Sequence, residues 1–370
     1  MVNKEWPMDN IVLYIMALFS IIGGIDKLLN NKLGLGEKFE EGFKSMGGLA
    51  LTMIGIISLS PIISQLIMPI LSPLSKITGA DPSVFISSIL AVDMGGYATS
   101  LEIAKNTEIA EFNGLILASM MGATISFTIP IAINMISKKD FVYFASGILA
   151  GIVTIPVGLV VAGLVMDIPI RDIWINLIPV IILSILIAIG LFKFQKRTMK
   201  IFNIFGKIII IISTIGLIFS ILDFILGIKI IPNMAPFEEG IIVVGKIAVI
   251  LSGAYPLLHI IYEKTYKRFN KVSNKIGINE FALLGLLSSL ANCVPTLAIY
   301  DKMDEKGKII NAAFVVSGAF TFGGQLGYIA SISSQMVTPF ILAKLSAGIS
   351  GILVANLLIK MRKKVEIKAA

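Results

Sequence analysis

Residues 89–104 read ILAVDMGGYATSLEIA, and this stretch decides how the chain can fold. Apolar residues flank a single carboxylate, Asp93, and two adjacent glycines, Gly95 and Gly96, follow it. Glycine loosens a helix, and non-helical backbone inside a bilayer is tolerated only against protein or a water-filled cavity. A carboxylate in hydrocarbon costs a few kcal/mol or more, so it needs a partner or a polar cavity. We interpret the stretch as a helix broken inside a membrane, with a candidate binding residue at the break.

The composition of the whole chain predicts an all-α polytopic membrane protein. Of 370 residues, 56% are hydrophobic and 15% are charged, and the mean hydropathy is +0.91. Most of the apolar runs approach the ~20 residues that a helix needs to cross a bilayer, whereas barrel strands are shorter and alternate. The runs lie near residues 9–25, 46–71, 83–101, 112–137, 141–166, 173–192, 201–228, 241–262, 278–300, 309–332 and 335–359.

Several other classes are excluded by the same composition. The single cysteine, Cys293, rules out an intramolecular disulfide, and the single histidine, His259, argues against a metal site, so we predict neither metal nor cofactor. The net charge of +8 comes from loops between the runs, where it orients the chain, so we predict no nucleic-acid partner. The first run lacks a small-residue cleavage site and is expected to be a retained span.

Landmarks of the first half recur in the second. FEEG occurs at 39–42 and again at 237–240, 198 residues later, and Asn113 matches Asn311 at the same offset. At an offset of 199, DMGGY of 93–97 falls on NCVPT of 292–296. Order and spacing maintained over such a length indicate a duplication. We predict two inverted repeats, about 9–41 plus 42–166 and then 201–359.

The placement of basic loops tests the topology of these repeats. Basic clusters lie at 193–200, 264–275 and 362–364, and all should be cytoplasmic. Eleven plain crossings would not place all three clusters on the cytoplasmic side. Nine crossings and two re-entrant hairpins do so, with one hairpin broken at DMGG and the other at NCVP. The alternative is that all eleven runs cross the membrane and that one basic cluster is an exception to the rule that basic loops are cytoplasmic. The predicted domains are 1–166, a linker span and basic loop at 167–200, and 201–370 with a basic cytoplasmic tail.

The two breaks supply the main candidate binding residues. Asp93, the Tyr97 hydroxyl and the carbonyls freed at Gly95 and Gly96 suit a small cation with donor protons. The matching break supplies Asn292, an amide in place of the acid, so the pair carries one net negative charge and favours a monocation. The alternative, in which Asp93 pairs with a lysine or caps a half-helix, is weakened because we expect basic residues only at segment ends.

Further polar residues inside the apolar runs are weaker candidates. Each of these residues either hydrogen-bonds to a neighbouring helix or contacts the substrate, and the sequence leaves both roles open. They are Asn113, Tyr255 before Pro256, Asn311, and Gln325 within FGGQLGY.

Three segments together resemble the ethanolamine permease family of bacterial ethanolamine-utilization operons. They are SMGGLALTMIGIISLSPII at 45–63, ILAVDMGGYATSLEIA at 89–104 and LSSLANCVPTLAIYDKMD at 287–304, and the resemblance runs from about residue 8 to 360. It implies a multi-pass protein of the bacterial cytoplasmic membrane that takes up ethanolamine for a microcompartment-housed lyase. With that substrate, Asp93 would pair with the ammonium, and Tyr97 and Asn292 would hold the hydroxyl or the remaining N–H donors.

Three alternatives remain open at this point. An ion-coupled carrier of another small cationic or polar nutrient would use Asp93 as its coupling site, and a channel would give non-saturating flux. An intramembrane enzyme is the least favoured, because the repeat partner of Asp93 is an amide and no serine–histidine pair lies at that depth. The expected partners are therefore a small molecule and the lipid bilayer, and the sequence leaves a homo-oligomer open.

Overall fold

A computed structural model describes residues 7–266, residue 273 and residues 276–369, and this part of the chain is α-helical without a β-strand. It contains eight helical stretches long and apolar enough to cross a bilayer, which confirms the predicted all-α polytopic class. Four basic residues of the charge count, Lys267, Arg268, Lys271 and Lys275, lie outside the described residues. The eight stretches are Ile11–Leu28, Leu35–Thr78, Thr107–Met135, Lys138–Val165, Ile170–Lys193, Gln195–Leu226, Phe237–Lys264 and Ser334–Met361.

The helices follow a similar order in the two halves of the chain. The first half contains α1 (Pro7–Leu28), α2 (Leu35–Lys44), α3 (Met46–Thr78), α4 (Pro82–Ser87), α5 (Tyr97–Ile103), α6 (Thr107–Met135), α7 (Phe141–Ile152) and α8 (Ile155–Val165). The second contains α9 (Ile170–Lys193), α10 (Gln195–Leu226), α11 (Phe237–Tyr266), α12 (Glu280–Ala291), α13 (Cys293–Ala298), α14 (Glu305–Gly318), α15 (Gly324–Ile332) and α16 (Val337–Ala369). In each half two short helices follow a long one. This order agrees with the predicted duplication. The inverted orientation of the repeats and the division into three domains stay predictions.

The first broken segment returns to the level at which it began. Asp81 caps α4 by accepting a hydrogen bond from the Ser83 amide at 2.9 Å, and its other carboxylate oxygen accepts one from the Lys105 amide at 3.0 Å. Halfway along, the Ser87 and Ser100 hydroxyls lie 2.7 Å apart. In one continuous helix those serines would be roughly 20 Å apart at 1.5 Å per residue, so α4 and α5 form a hairpin.

The second broken segment closes in the same way. The Asn279 amide donates to Asp304 at 2.8 Å, which joins the two ends, and the Thr296 hydroxyl donates to the Gly285 carbonyl at 2.8 Å, which joins the two arms. The longest helix in either hairpin, α12, has 12 residues, about 18 Å, which is too short to cross. Both segments thus have hairpin geometry, whereas the count of nine crossings stays a prediction.

The run at 309–332 differs from the expected continuous span. It consists of α14 and α15, separated by residues 319–323, and Phe320 has a positive φ of 62°. The amides of Phe320 and Phe322 donate to the carbonyls of Ser289 and Leu290 at 2.9 Å. The break is therefore satisfied by the end of α12, which supplies the acceptors that the chain's own helix would otherwise provide.

The start of α14 contacts the turn before α7. The Lys308 ammonium forms a buried ion pair with Asp140 at 2.6 Å, which fixes the start of α14 to the turn before α7. Isoleucines along α10, such as Ile208, Ile211 and Ile215, are in contrast exposed. A large exposed apolar face is abnormal on a soluble monomer and is what lipid contact requires.

Candidate functional site

A cavity of about 540 Å³ lies between the two hairpin breaks, and four of the predicted site residues line it. Asp93 comes from the first hairpin, Asn292 from the second, Tyr255 from α11 and Gln325 from α15. These residues are up to 232 positions apart in the sequence, so only packing brings them together. A neighbouring cavity of about 460 Å³ shares Tyr255, Ala291 and Asn292 with the first, so these three residues lie between the two spaces.

Asp93 is held at the cavity by the shape of the backbone after it. Gly95 has φ +91°, a left-handed conformation that glycine adopts without strain, and the Gly96 amide donates to the Ala91 carbonyl at 2.9 Å. A Cβ on Gly96 would come within 2.7 Å of that carbonyl oxygen, so the chain turns tightly here. Gly95 and Gly96 are buried outside the cavity lining and shape the break, and their direct contact with a substrate stays a prediction.

The carboxylate of Asp93 has no ion-pair partner among the described residues and is partly exposed to the cavity. A carboxylate in this position attracts a cation from the cavity, because an unpaired charge at membrane depth is costly.

Asn292 faces the cavity from the second break. Its backbone is extended, with φ −160° and ψ 134°, and its side-chain oxygen caps α13 by accepting from the Val294 amide at 2.9 Å. A side-chain amide has one oxygen and one NH₂ group, so capping commits the oxygen and leaves the NH₂ as a donor.

Lys344 is the residue that sequence reasoning missed. It lies within FILAKLSAG at 340–348, in the middle of α16, and its side chain is only 1% exposed. Its ammonium donates to the Ser119 carbonyl at 2.8 Å and to the Gln325 side-chain oxygen at 2.7 Å, and lies 5.4 Å from the centre of the Phe340 ring. The expectation that basic residues are confined to segment ends is therefore wrong. A lone lysine inside an apolar run was the available signal.

Lys344 also bears on the net charge expected for the site. When protonated it adds a positive charge next to Gln325, so the single negative charge expected for the two breaks stays a prediction. Lys344 does not line the cavity, whereas Asp93 and Lys207 do, so Asp93 is the anionic group that a solute meets there.

The other three predicted residues lie outside the cavity. Tyr97 is buried with its ring edge-on to Tyr328, the ring centres 6.4 Å apart. The Asn113 amide donates to the Ser83 hydroxyl at 2.9 Å, and the Asn311 amide donates to the Ala282 carbonyl at 2.9 Å. Each asparagine thus ties one hairpin to the helix that follows it, and a substrate contact for any of the three stays a prediction.

Residues 8–358 match the model of a family described as "Ethanolamine utilisation protein, EutH". The chain belongs to the EutH family. A "Probable ethanolamine permease EutH" of Listeria monocytogenes is 43% identical over 97% of both chains, and one of Salmonella typhimurium is 35% identical over 98% of both. A Bacillus subtilis protein named "Uncharacterized protein YxeR" is 41% identical over 93% of both. No solved structure matches the chain significantly.

Membership of the EutH family, together with the eight apolar helices, makes the chain a multi-pass protein of the bacterial inner membrane. It is a transporter of a small molecule, and its environment is the lipid bilayer. The sequence-based assignment to this family is confirmed.

Proposed function

We propose that this transporter takes up ethanolamine and binds its ammonium group at Asp93. The observation that carries the proposal is a carboxylate at a helix break, facing a cavity of about 540 Å³ without an ion-pair partner in the described part of the chain. The names of the EutH relatives in Listeria, Salmonella and Escherichia coli support the choice of ethanolamine. Aspartyl catalysis needs a second carboxylate close to Asp93, and within the described residues that line the cavity Asp93 is the one carboxylate, so we propose transport without catalysis.

The chemistry of the cavity suits this substrate. Near neutral pH ethanolamine is an ammonium ion with a hydroxyl group, so it needs an anionic acceptor at one end and a polar group at the other. Asp93 supplies the first, because charge-assisted hydrogen bonds to a carboxylate are the strong ones. The NH₂ of Asn292 supplies the second, and it donates to the hydroxyl oxygen.

Reconstituted protein tests the proposal directly. We expect purified protein in proteoliposomes to exchange labelled ethanolamine in a saturable manner, and Asp93→Asn to abolish saturable exchange, because the amide keeps the shape but loses the charge. Asp223→Asn is the matched control, since Asp223 is also in an apolar helix but does not line the cavity. Normal uptake by Asp93→Asn would remove Asp93 from the site.

The same vesicles separate the remaining transport modes. Flux that rises linearly with concentration indicates a channel, whereas saturation and counterflow indicate a carrier. Accumulation that depends on an imposed proton or sodium gradient indicates coupling. A complete lack of saturable ethanolamine flux in the wild-type protein would refute ethanolamine as the substrate.

A further inference from the structure

Two side-chain amides of the cavity have their oxygens committed to the protein. The Asn292 oxygen accepts from the Val294 amide at 2.9 Å, and the Gln325 oxygen accepts from the Lys344 ammonium at 2.7 Å. Both residues line the cavity, whereas Val294 and Lys344 do not. Because each oxygen is turned to a protein donor that lies outside the cavity lining, the group that each of these two amides offers to a bound solute is its NH₂.

Lys344 is what fixes the orientation of Gln325. A lysine side chain has donors and, when charged, no acceptor, so it can hold only the oxygen of the amide. The Ser119 carbonyl at 2.8 Å accepts a further hydrogen bond from the same nitrogen, and the Phe340 ring lies 5.4 Å from it. Gln325 is 3% exposed and therefore closely packed in this orientation.

The cavity is consequently polarised. Asp93 provides an anionic acceptor, and Asn292 and Gln325 provide donors only. An ammonium group finds a partner at Asp93, and a hydroxyl or other neutral acceptor finds partners at the amides. A second ammonium directed at these two amides would meet donors and the Lys344 charge, so it would have to turn away to the neutral oxygens of Tyr255, Asn134 or Asn203, which line other parts of the cavity.

We propose that Lys344 is a positioning residue that turns Gln325 so that the cavity selects amino alcohols and excludes diamines. This inference rests on the proposed uptake of ethanolamine and adds the basis of its selectivity. It does not require Lys344 to touch the substrate, because Lys344 acts through the amide of Gln325.

Competition against labelled ethanolamine tests the selectivity of the wild-type protein. n-Propylamine replaces the hydroxyl with a methyl group of similar size, and 1,2-diaminoethane at mildly acidic pH replaces it with a second ammonium. We expect half-inhibition by n-propylamine to need at least about tenfold more competitor than unlabelled ethanolamine, because the hydroxyl bonds are lost. We expect half-inhibition by 1,2-diaminoethane to need a still higher concentration than half-inhibition by n-propylamine.

Two variants should admit the diamine. Lys344→Met preserves the length of the side chain and releases Gln325 to turn its oxygen toward the cavity, so we expect diaminoethane to inhibit at about tenfold lower concentration than in wild type. Asn292→Asp remains a good helix cap and adds a second carboxylate, so it should shift diaminoethane in the same direction. Ser346→Ala is the control, because that hydroxyl bonds only within α16, to Ala343 at 3.0 Å.

The outcomes distinguish this inference from the proposed function. Absence of saturable ethanolamine uptake in wild type refutes the function itself. Wild-type uptake that n-propylamine inhibits as well as ethanolamine does would overturn the inference, as would a Lys344→Met protein that still excludes diaminoethane. If Lys344→Met does not yield folded protein, Asn292→Asp decides, and unchanged exclusion of diaminoethane by that variant again overturns the inference.

Discussion

Gly95 is the residue on which the position of Asp93 depends. Its φ of +91° lies in the region that residues with a side chain rarely adopt, and a Cβ there would come within 3.0 Å of Ile56. Asp93 lies two residues earlier, at the cavity edge of the same turn. The sequence predicts a break at this position, because a glycine pair next to an acid inside an apolar run is visible without a structure.

Gly95→Ala should lower both stability and uptake. The strained conformation costs about 1–3 kcal/mol, and relief of the strain would move Asp93 away from the cavity. We expect a lower thermal midpoint in detergent and a raised KM for ethanolamine. Gly245→Ala is the control, since a Cβ at that helical position meets open space. Wild-type midpoint and KM in Gly95→Ala would show that the turn does not position the acid.

The break between α14 and α15 is built by contact between elements. Gly323 approaches the end of α12 so closely that a Cβ would lie 1.9 Å from the Ala291 carbonyl oxygen. This contact brings Gln325, at the start of α15, to the same cavity as Asn292. The sequence predicted one span here, because hydropathy measures only how favourably a segment is transferred into the bilayer. The hydrogen-bond acceptors that make the break possible belong to the second hairpin, which is distant in the sequence.

Two adjacent glycines at this break should respond differently to the same change. Gly323→Ala forces α15 away from α12, since backbone atoms cannot give way as a flexible side chain can, and we expect a lower thermal midpoint and loss of most uptake. Gly324→Ala meets nothing within 4 Å, because its Cβ would project into the cavity, and it should leave the thermal midpoint near wild type. Equal thermal midpoints of the two variants would contradict the close contact as the cause.

At the scale of the whole molecule, the two hairpins should enter the membrane from opposite sides. The ends of the first hairpin meet at Asp81 and Lys105, and those of the second at Asn279 and Asp304. The Lys308–Asp140 ion pair places the turn before α7 at the level of the second hairpin's ends. The sidedness itself follows from the charge count and stays a prediction.

Cysteine labelling in intact cells tests the sidedness. We expect a membrane-impermeant thiol reagent to label Lys105→Cys from outside, and to label Lys302→Cys and Lys139→Cys only after the membrane is permeabilised. All three positions are exposed. The unsubstituted protein is the control, because its Cys293 is fully buried. Labelling of 105 and 302 from the same side would rule out inverted hairpins.

The sequence is sufficient to predict the membrane class, the two breaks, Asp93 as the charged residue at one of them, and the family. Those features are local, because hydropathy, glycine pairs and isolated charges act on neighbouring backbone and on solvation. Which polar groups share the cavity depends on how the helices pack. Tyr97 packs against Tyr328 outside the cavity, and Lys344 donates hydrogen bonds to Gln325, which lines it, and to Ser119. Hydrogen bonds between residues as far apart as 119 and 344 depend on how helices pack, which no local pattern records.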